Sequence, residues 1–208
     1  MPVDKARALI RAAARAPHYV ENQRIIRKSL EITEQSYLSA VSGGVPDQVV
    51  VQNVMYFAAL YNYDLSVLLE ELDSAPSDWH ERLYGRVLAL TVYECLEDLP
   101  GLLGRSFRST LASWGIATAQ SEELNAIGKA LSAQKSTDAS WLNEVRTNAI
   151  GHRHQVAIDQ MRYIRDLDLV RIDAAASELF SWTNRLYALL TRVLEHRLST
   201  LRSKRKDA

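Results

Sequence analysis

The sequence predicts an all-α protein, an antiparallel helical bundle with additional N-terminal helices. Three observations predict it. Nearly every segment of the 208-residue chain repeats its apolar side chains with the helical period, and none alternates convincingly. Gly and Pro are scarce, at 8 and 5, which favours long helices over a turn-rich β architecture. A hydrophobic share of 47% with 24% charged residues is ordinary for a globular protein long enough to bury a large core.

The elements follow in order. A first helix is expected over 3–15, stopping before Pro17. A second covers about 19–41, with Val20, Ile26, Leu30, Thr33 and Tyr37 on one side. SGGVPD at 42–47 breaks the chain. The third, about 48–73, carries Val50, Val54, Phe57, Tyr61, Leu65, Leu68 and Leu72, enough to be largely buried. DSAPSD at 73–78 is the next break, with Ser77 a good N-cap. The fourth helix, about 78–98, has a stripe of Trp79, Leu83, Val87 and Leu90, with Glu94 next on the line; Pro100 and Gly101 mark its end. Shorter helices are expected at 102–114 and 121–134, split near Gly115. Thr137 caps a helix reaching about Tyr163. RDLDLVRID at 165–173 reads as an extended connector. A last helix over about 174–203 turns Leu179, Trp182, Leu186, Leu189 and Val193 inward. The natural division is an N-terminal helical extension, 1–73, and a helical bundle, 78–203; the two parts can also share one core.

Composition excludes several function classes. Lys plus Arg and Asp plus Glu both number 25, so no whole-molecule field draws nucleic acid in, and any such contact needs a local cluster. One cysteine, Cys95, leaves no disulfide framework or zinc cage within one chain, and a free thiol fits a reducing cytoplasm. The start is Ala- and Arg-rich, without the apolar core of a secretion signal, and reads as a bundle-capping helix. No apolar run is long enough for a bilayer. His18, His80 and His196 are scattered and imply no metal; no cofactor is expected.

The chemistry concentrates in Glu144–His154, EVRTNAIGHRH. Leu142, Val145, Ala149, His152 and Val156 are spaced three, four, three, four, so His152 occupies a helix-packing seam. Arg146 and Arg153 flank that seam seven residues apart, and Asn148 lies four before His152. Gly151 costs about 1 kcal/mol of helix propensity relative to Ala, a cost that close approach of another backbone or of a substrate explains. A plain reading stands beside this one: a core histidine bonded to a carbonyl or carboxylate, and arginines paired with acids.

R-T-N-A-I-G-H, Arg146 to His152, resembles the motif of the HEPN superfamily, an Arg, a polar residue and a His four to six positions after. The resemblance covers about 78–203. It implies a helical bundle with the motif on a late helix, and a cytoplasmic, metal-independent endoribonuclease of toxin or phage-defence type. It also implies a dimer with a composite cleft, and an antitoxin or defence-system protein as a further partner. The polar residue after the Arg is Thr147 here, with Asn148 one later. One HEPN subgroup carries a modifiable Tyr where this chain has His154, so regulation by that modification is not expected.

The residues suit RNA cleavage. RNA supplies its own nucleophile, the 2′-hydroxyl, so a base, an acid and cations for the developing phosphorane charge suffice. His152, with an ordinary pKa of about 6.5, exchanges a proton near neutrality. Arg146 can clamp phosphate oxygens through two parallel hydrogen bonds. Asn148 can orient the imidazole or bond the ribose. On one α-helix Arg146 and His152 stand roughly 120° apart and roughly 9 Å apart along the axis. One helix therefore aims both at a single atom poorly, whereas two antiparallel copies about a two-fold axis do so readily.

Glu94 is a candidate partner for Arg146 or His152, or half of a purely structural pair; Glu97 and Asp98 read as a solvated helix end. Arg153 can widen the phosphate surface. Arg202, Lys204 and Arg205 can grip an RNA backbone, or form a solvated end. The Trp and Tyr residues read as core. The alternative function is a non-catalytic HEPN-like scaffold binding a protein or nucleotide. A helical transcriptional regulator ranks third, for want of a basic recognition helix.

Overall fold

Among the described residues the expected helical periodicity resolves into seven α-helices and one π-helical segment. The computed structural model describes the backbone of residues 3–151 and 157–206, with side chains over 21–149 and 157–201. The α-helices are α1 (Val3–Ser42), α2 (Pro46–Asp73), α3 (Asp78–Leu102), α4 (Arg105–Trp114), α5 (Thr118–Val145), α6 (Ala157–Arg165) and α7 (Leu169–Lys206). The π segment is Arg146–Gly151, and there is no strand among the described residues. The chain is an all-α bundle.

Helix α2 is central and packs on α1, α3 and α7; α3 and α5 close the other side. Its apolar residues cover more than one stripe, with Val51, Val54, Ala58, Leu65 and Leu69 all buried. It returns antiparallel to α1, so the rings of Tyr37 and Tyr56 stack at 6.5 Å and Gln23 donates to Glu70. It runs antiparallel to α7 as well, where Thr183 donates to Asn62 inside the core. One continuous apolar core joins α2 to α3, α4, α5 and α7. Leu179, Leu186, Leu189 and Val193 of α7 are buried in it, with Trp182 half-buried at the edge.

Several boundaries differ from expectation, each for a local reason. Pro17 does not stop the first helix: α1 is one element, since proline's fixed φ suits a helix and costs it a hydrogen bond rather than its continuity. Pro100 likewise sits in the last turn of α3, which ends at Leu102. Ser77 takes the N-cap position, but its hydroxyl bonds the His80 ring at 2.8 Å rather than a backbone N–H. Thr137 caps nothing. Its hydroxyl donates to the Ala133 carbonyl, as Ser132 and Ser136 donate to theirs four residues back, so α5 runs unbroken through the hydroxyl-rich stretch. The alternating run at 165–173 is no extended connector: Arg165 ends α6, residues 166–168 link the helices, and α7 begins at Leu169, with the Asp168 carboxylate accepting the Arg171 N–H at 3.0 Å. Gly115 ends α4 as expected, at φ +68°.

The largest correction concerns α3. Trp79, Leu83 and Val87 are 52%, 45% and 38% exposed, and its buried face is Gly85, Leu88, Val92, Cys95, Leu96 and Leu99. Gly85 matters there because a Cβ would overlap the side chain of Leu169 at the start of α7. Asp98, read as a solvated end, accepts the Tyr61 hydroxyl at 2.7 Å; desolvation, helped by that bond, pushes the phenol well above its usual range. Glu97 pairs with Lys135 at 2.9 Å.

Cys95 is fully buried, and desolvation, with the nearby Asp98 charge, drives its thiol well up. The thiolate is the reactive form, so the folded protein should not react with 5,5′-dithiobis(2-nitrobenzoate) at pH 8. One thiol per chain should titrate after denaturation, and rapid labelling of the native protein would contradict the packing described.

Candidate functional site

The α-helical hydrogen-bond pattern of α5 gives way to a π turn over Arg146–Gly151, the first six residues of the seven-residue Arg–His motif. π turns are rare, arise mostly as single insertions in α-helices and recur at functional sites. The expectation of an α-helix reaching Tyr163 is therefore corrected at this point. His152, Arg153 and His154 lie outside the described residues, as does any side chain beside Gly151.

Arg146 faces α3. Its Nε lies 3.3 Å from Glu94 Oε1, and its guanidinium stands 5.3 Å from the centroid of the Tyr93 ring. The arginine and glutamate side chains are 46% and 45% exposed. An ion pair so solvated contributes about 0.2–1 kcal/mol, and the ring contact about the same. Arg146 is thus positioned cheaply and can exchange Glu94 for a phosphate without loss of fold. Glu94 meets Arg146 because residues 83, 87 and 94 share one line of α3, and that line is exposed.

Asn148 has another neighbourhood. It lines a cavity of about 350 Å³ between the end of α5, the π turn, α6 and the start of α7, which Arg146 does not line. Trp141, Tyr163, Asp168 and Arg171 share it. Arg171 lies 4.3 Å over the Trp141 ring, and the Trp141 Nε1 donates to Asp138 at 2.8 Å. Trp141 is half-buried, packs against the core and carries Arg171 over its ring.

Two residues that sequence reasoning missed hold this region in place. Arg82 donates to the Ile164 carbonyl at 2.8 Å, in the last turn of α6, where carbonyls lack helical partners and a cation is favourable. Arg86 donates to the Ala149 carbonyl inside the π turn at 3.1 Å. Burial pulls the Arg86 guanidinium below its ordinary pKa. The signal was a line on α3, Arg82, Arg86 and Tyr93, spaced four and seven. Arg86→Met keeps the aliphatic stem and removes the donors, and should cost about 1 kcal/mol, the low end because Arg86 is only half-buried. Amide exchange across 147–151 should quicken by roughly tenfold, read by mass spectrometry. Unchanged exchange there would contradict the anchoring role.

Arg202, Lys204 and Arg205 fall on the final turns of α7, where only the backbone is described. The Asn148 cavity includes Ile172, thirty residues earlier, so the basic run stands roughly 45 Å away along the helix. It does not join Arg146 within one subunit. No helix among the described residues is long and apolar enough to cross a membrane.

No family model, curated protein or solved structure matches this chain.

Proposed function

We propose that the protein is a cytoplasmic, metal-independent endoribonuclease of HEPN type, with a toxin or phage-defence role. Arg146 would clamp the scissile phosphate and His152 would move the proton between the 2′-hydroxyl and the leaving 5′-oxygen. The observation that carries the reading is the π turn that opens on Arg146, with its guanidinium held weakly and half exposed on α3. A composite site across two copies agrees with the exposed stripe Trp79, Leu83 and Val87 on α3, whose line runs on to Glu94. A second copy covering that stripe would come close to the Arg146–Glu94 pair. Arg153, Arg202, Lys204 and Arg205 would contact RNA beyond the scissile phosphate, and Asn148 would act from its own cavity. An antitoxin or defence protein remains the expected further partner.

The test is RNA cleavage in EDTA with end-group analysis. Fragments ending in 2′,3′-cyclic phosphate and 5′-hydroxyl are expected, with DNA left intact. A second reading, a non-catalytic scaffold for a protein or nucleotide, is favoured by one observation: Arg146 already has Glu94 and Tyr93 as partners, as a structural arginine would. Folded, pure protein inert on varied RNAs would decide for the scaffold.

A further inference from the structure

The bundle also opens away from the motif region, in a cavity of about 310 Å³ between α1, α2 and the C-terminal half of α7. It includes Leu194, 22 residues beyond Ile172 of the Asn148 cavity, so the two lie roughly 33 Å apart along α7. It is a separate site.

Met55, Trp114, Leu194 and Leu198 form an apolar wall, with polar residues such as Ser36, Gln48 and Thr191 among them. Two of its polar residues, Thr33 and Gln52, are buried. Gln52 is 4% exposed, lines the cavity, and its Oε1 has no hydrogen-bond partner. Its polar neighbour Thr33 is already occupied, donating to the Ser29 carbonyl at 2.7 Å and lying 3.2 Å from the Tyr187 hydroxyl. A buried amide oxygen left without a partner is costly, and folded proteins avoid it unless the group has another use.

We propose that this cavity binds a neutral small molecule with an apolar body and an amide-type end, whose N–H is received by the Gln52 carbonyl. Size fits the class: a cavity of about 150 Å³ holds benzene, so twice that holds a bicyclic ring or a chain of about eight carbons. Charge fits it too. Asp47, Glu195 and Arg197 line the cavity, and the Arg197 guanidinium stands 5.5 Å over the Trp114 ring. Asp47 and Glu195 are exposed and oppose an anion, while a cation driven past them to Gln52 would be stripped of water with a neutral carbonyl to face. The group at the bottom is a neutral donor. Leu198 and Leu201, both exposed, extend the apolar wall on α7.

The test uses the full chain and octanamide, with octanoate as the charged control, by titration calorimetry. Octanamide should bind saturably, one per chain, and at least tenfold more tightly than octanoate. Gln52→Leu should weaken octanamide at least tenfold and, without ligand, raise Tm, because an unpartnered amide gives way to a packed side chain. Leu198→Glu, at an exposed position, leaves the core intact and should also weaken binding at least tenfold. The proposal is overturned if octanamide does not bind saturably, if octanoate binds as well, or if Gln52→Leu lowers Tm. It is equally overturned if a folded Gln52→Leu or Leu198→Glu binds octanamide like the parent. None of these readings involves RNA cleavage, so the two hypotheses fail independently.

Discussion

Arg146→Ala and His152→Ala should each reduce RNA cleavage at least a hundredfold while leaving the fold standing. The magnitude follows from what each side chain would supply. A positioned acid–base group contributes about 10²–10⁴-fold, and one fixed donor to a developing oxyanion about 10²–10³-fold. The stability side is small. Arg146→Ala deletes an ion pair and a ring contact made by a half-exposed side chain, together about 1–2 kcal/mol at most. Tm should fall by no more than about 2–8 °C. Arg146→Lys is the sharper variant. It keeps the charge and loses the planar fork, so a bidentate phosphate clamp predicts a large fall in cleavage, whereas simple charge attraction predicts a small one. Mixed dimers add a further check: an Arg146→Ala chain paired with a His152→Ala chain should regain part of the activity if each site draws on both copies. Activity unchanged in both single variants would end the nuclease reading.

Leu142→Ala should produce the largest loss of stability among the changes near the site. Leu142 is fully buried in the core, one turn before α5 becomes the π segment. Truncating a leucine at such a place removes its transfer energy and leaves a cavity, together about 2–5 kcal/mol. For a chain of this size that lowers Tm by roughly 4–20 °C, measurable by calorimetry or circular dichroism. Because the last turn of α5 sets where Arg146 emerges, the variant should lose RNA cleavage as well as Tm. A loss of less than 1 kcal/mol would show that the end of α5 is not packed as described.

Much of the helix plan was legible because it is written locally. A three–four spacing of apolar residues needs no partner to be recognised, so α2 and the inward face of α7 were readable. The misplaced boundaries arose where a local signal had two meanings. Thr137 could cap a helix or bond back four residues, and only the direction taken by α5 selects the second. Pro17 and Pro100 read as stops, yet in these helices the chain passes through them. The pairing of Glu94 with Arg146 was readable from the stripe Trp79–Leu83–Val87, but the exposure of that stripe was not. Apolar spacing tells that a helix has a preferred face; it does not tell whether anything lies over it.

Sequence alone therefore determined the class of fold, most helices, and the crowding of guanidinium and imidazole groups into the nine residues from Arg146 to His154, since each of these depends on neighbours along the chain. Tertiary packing decided the π turn, the anchors Arg82 and Arg86, the separation of Arg146 from Asn148, and the unpartnered Gln52 inside its cavity. These depend on which helices meet and how closely. Such contacts join residues tens of positions apart, and no periodicity along one helix encodes them.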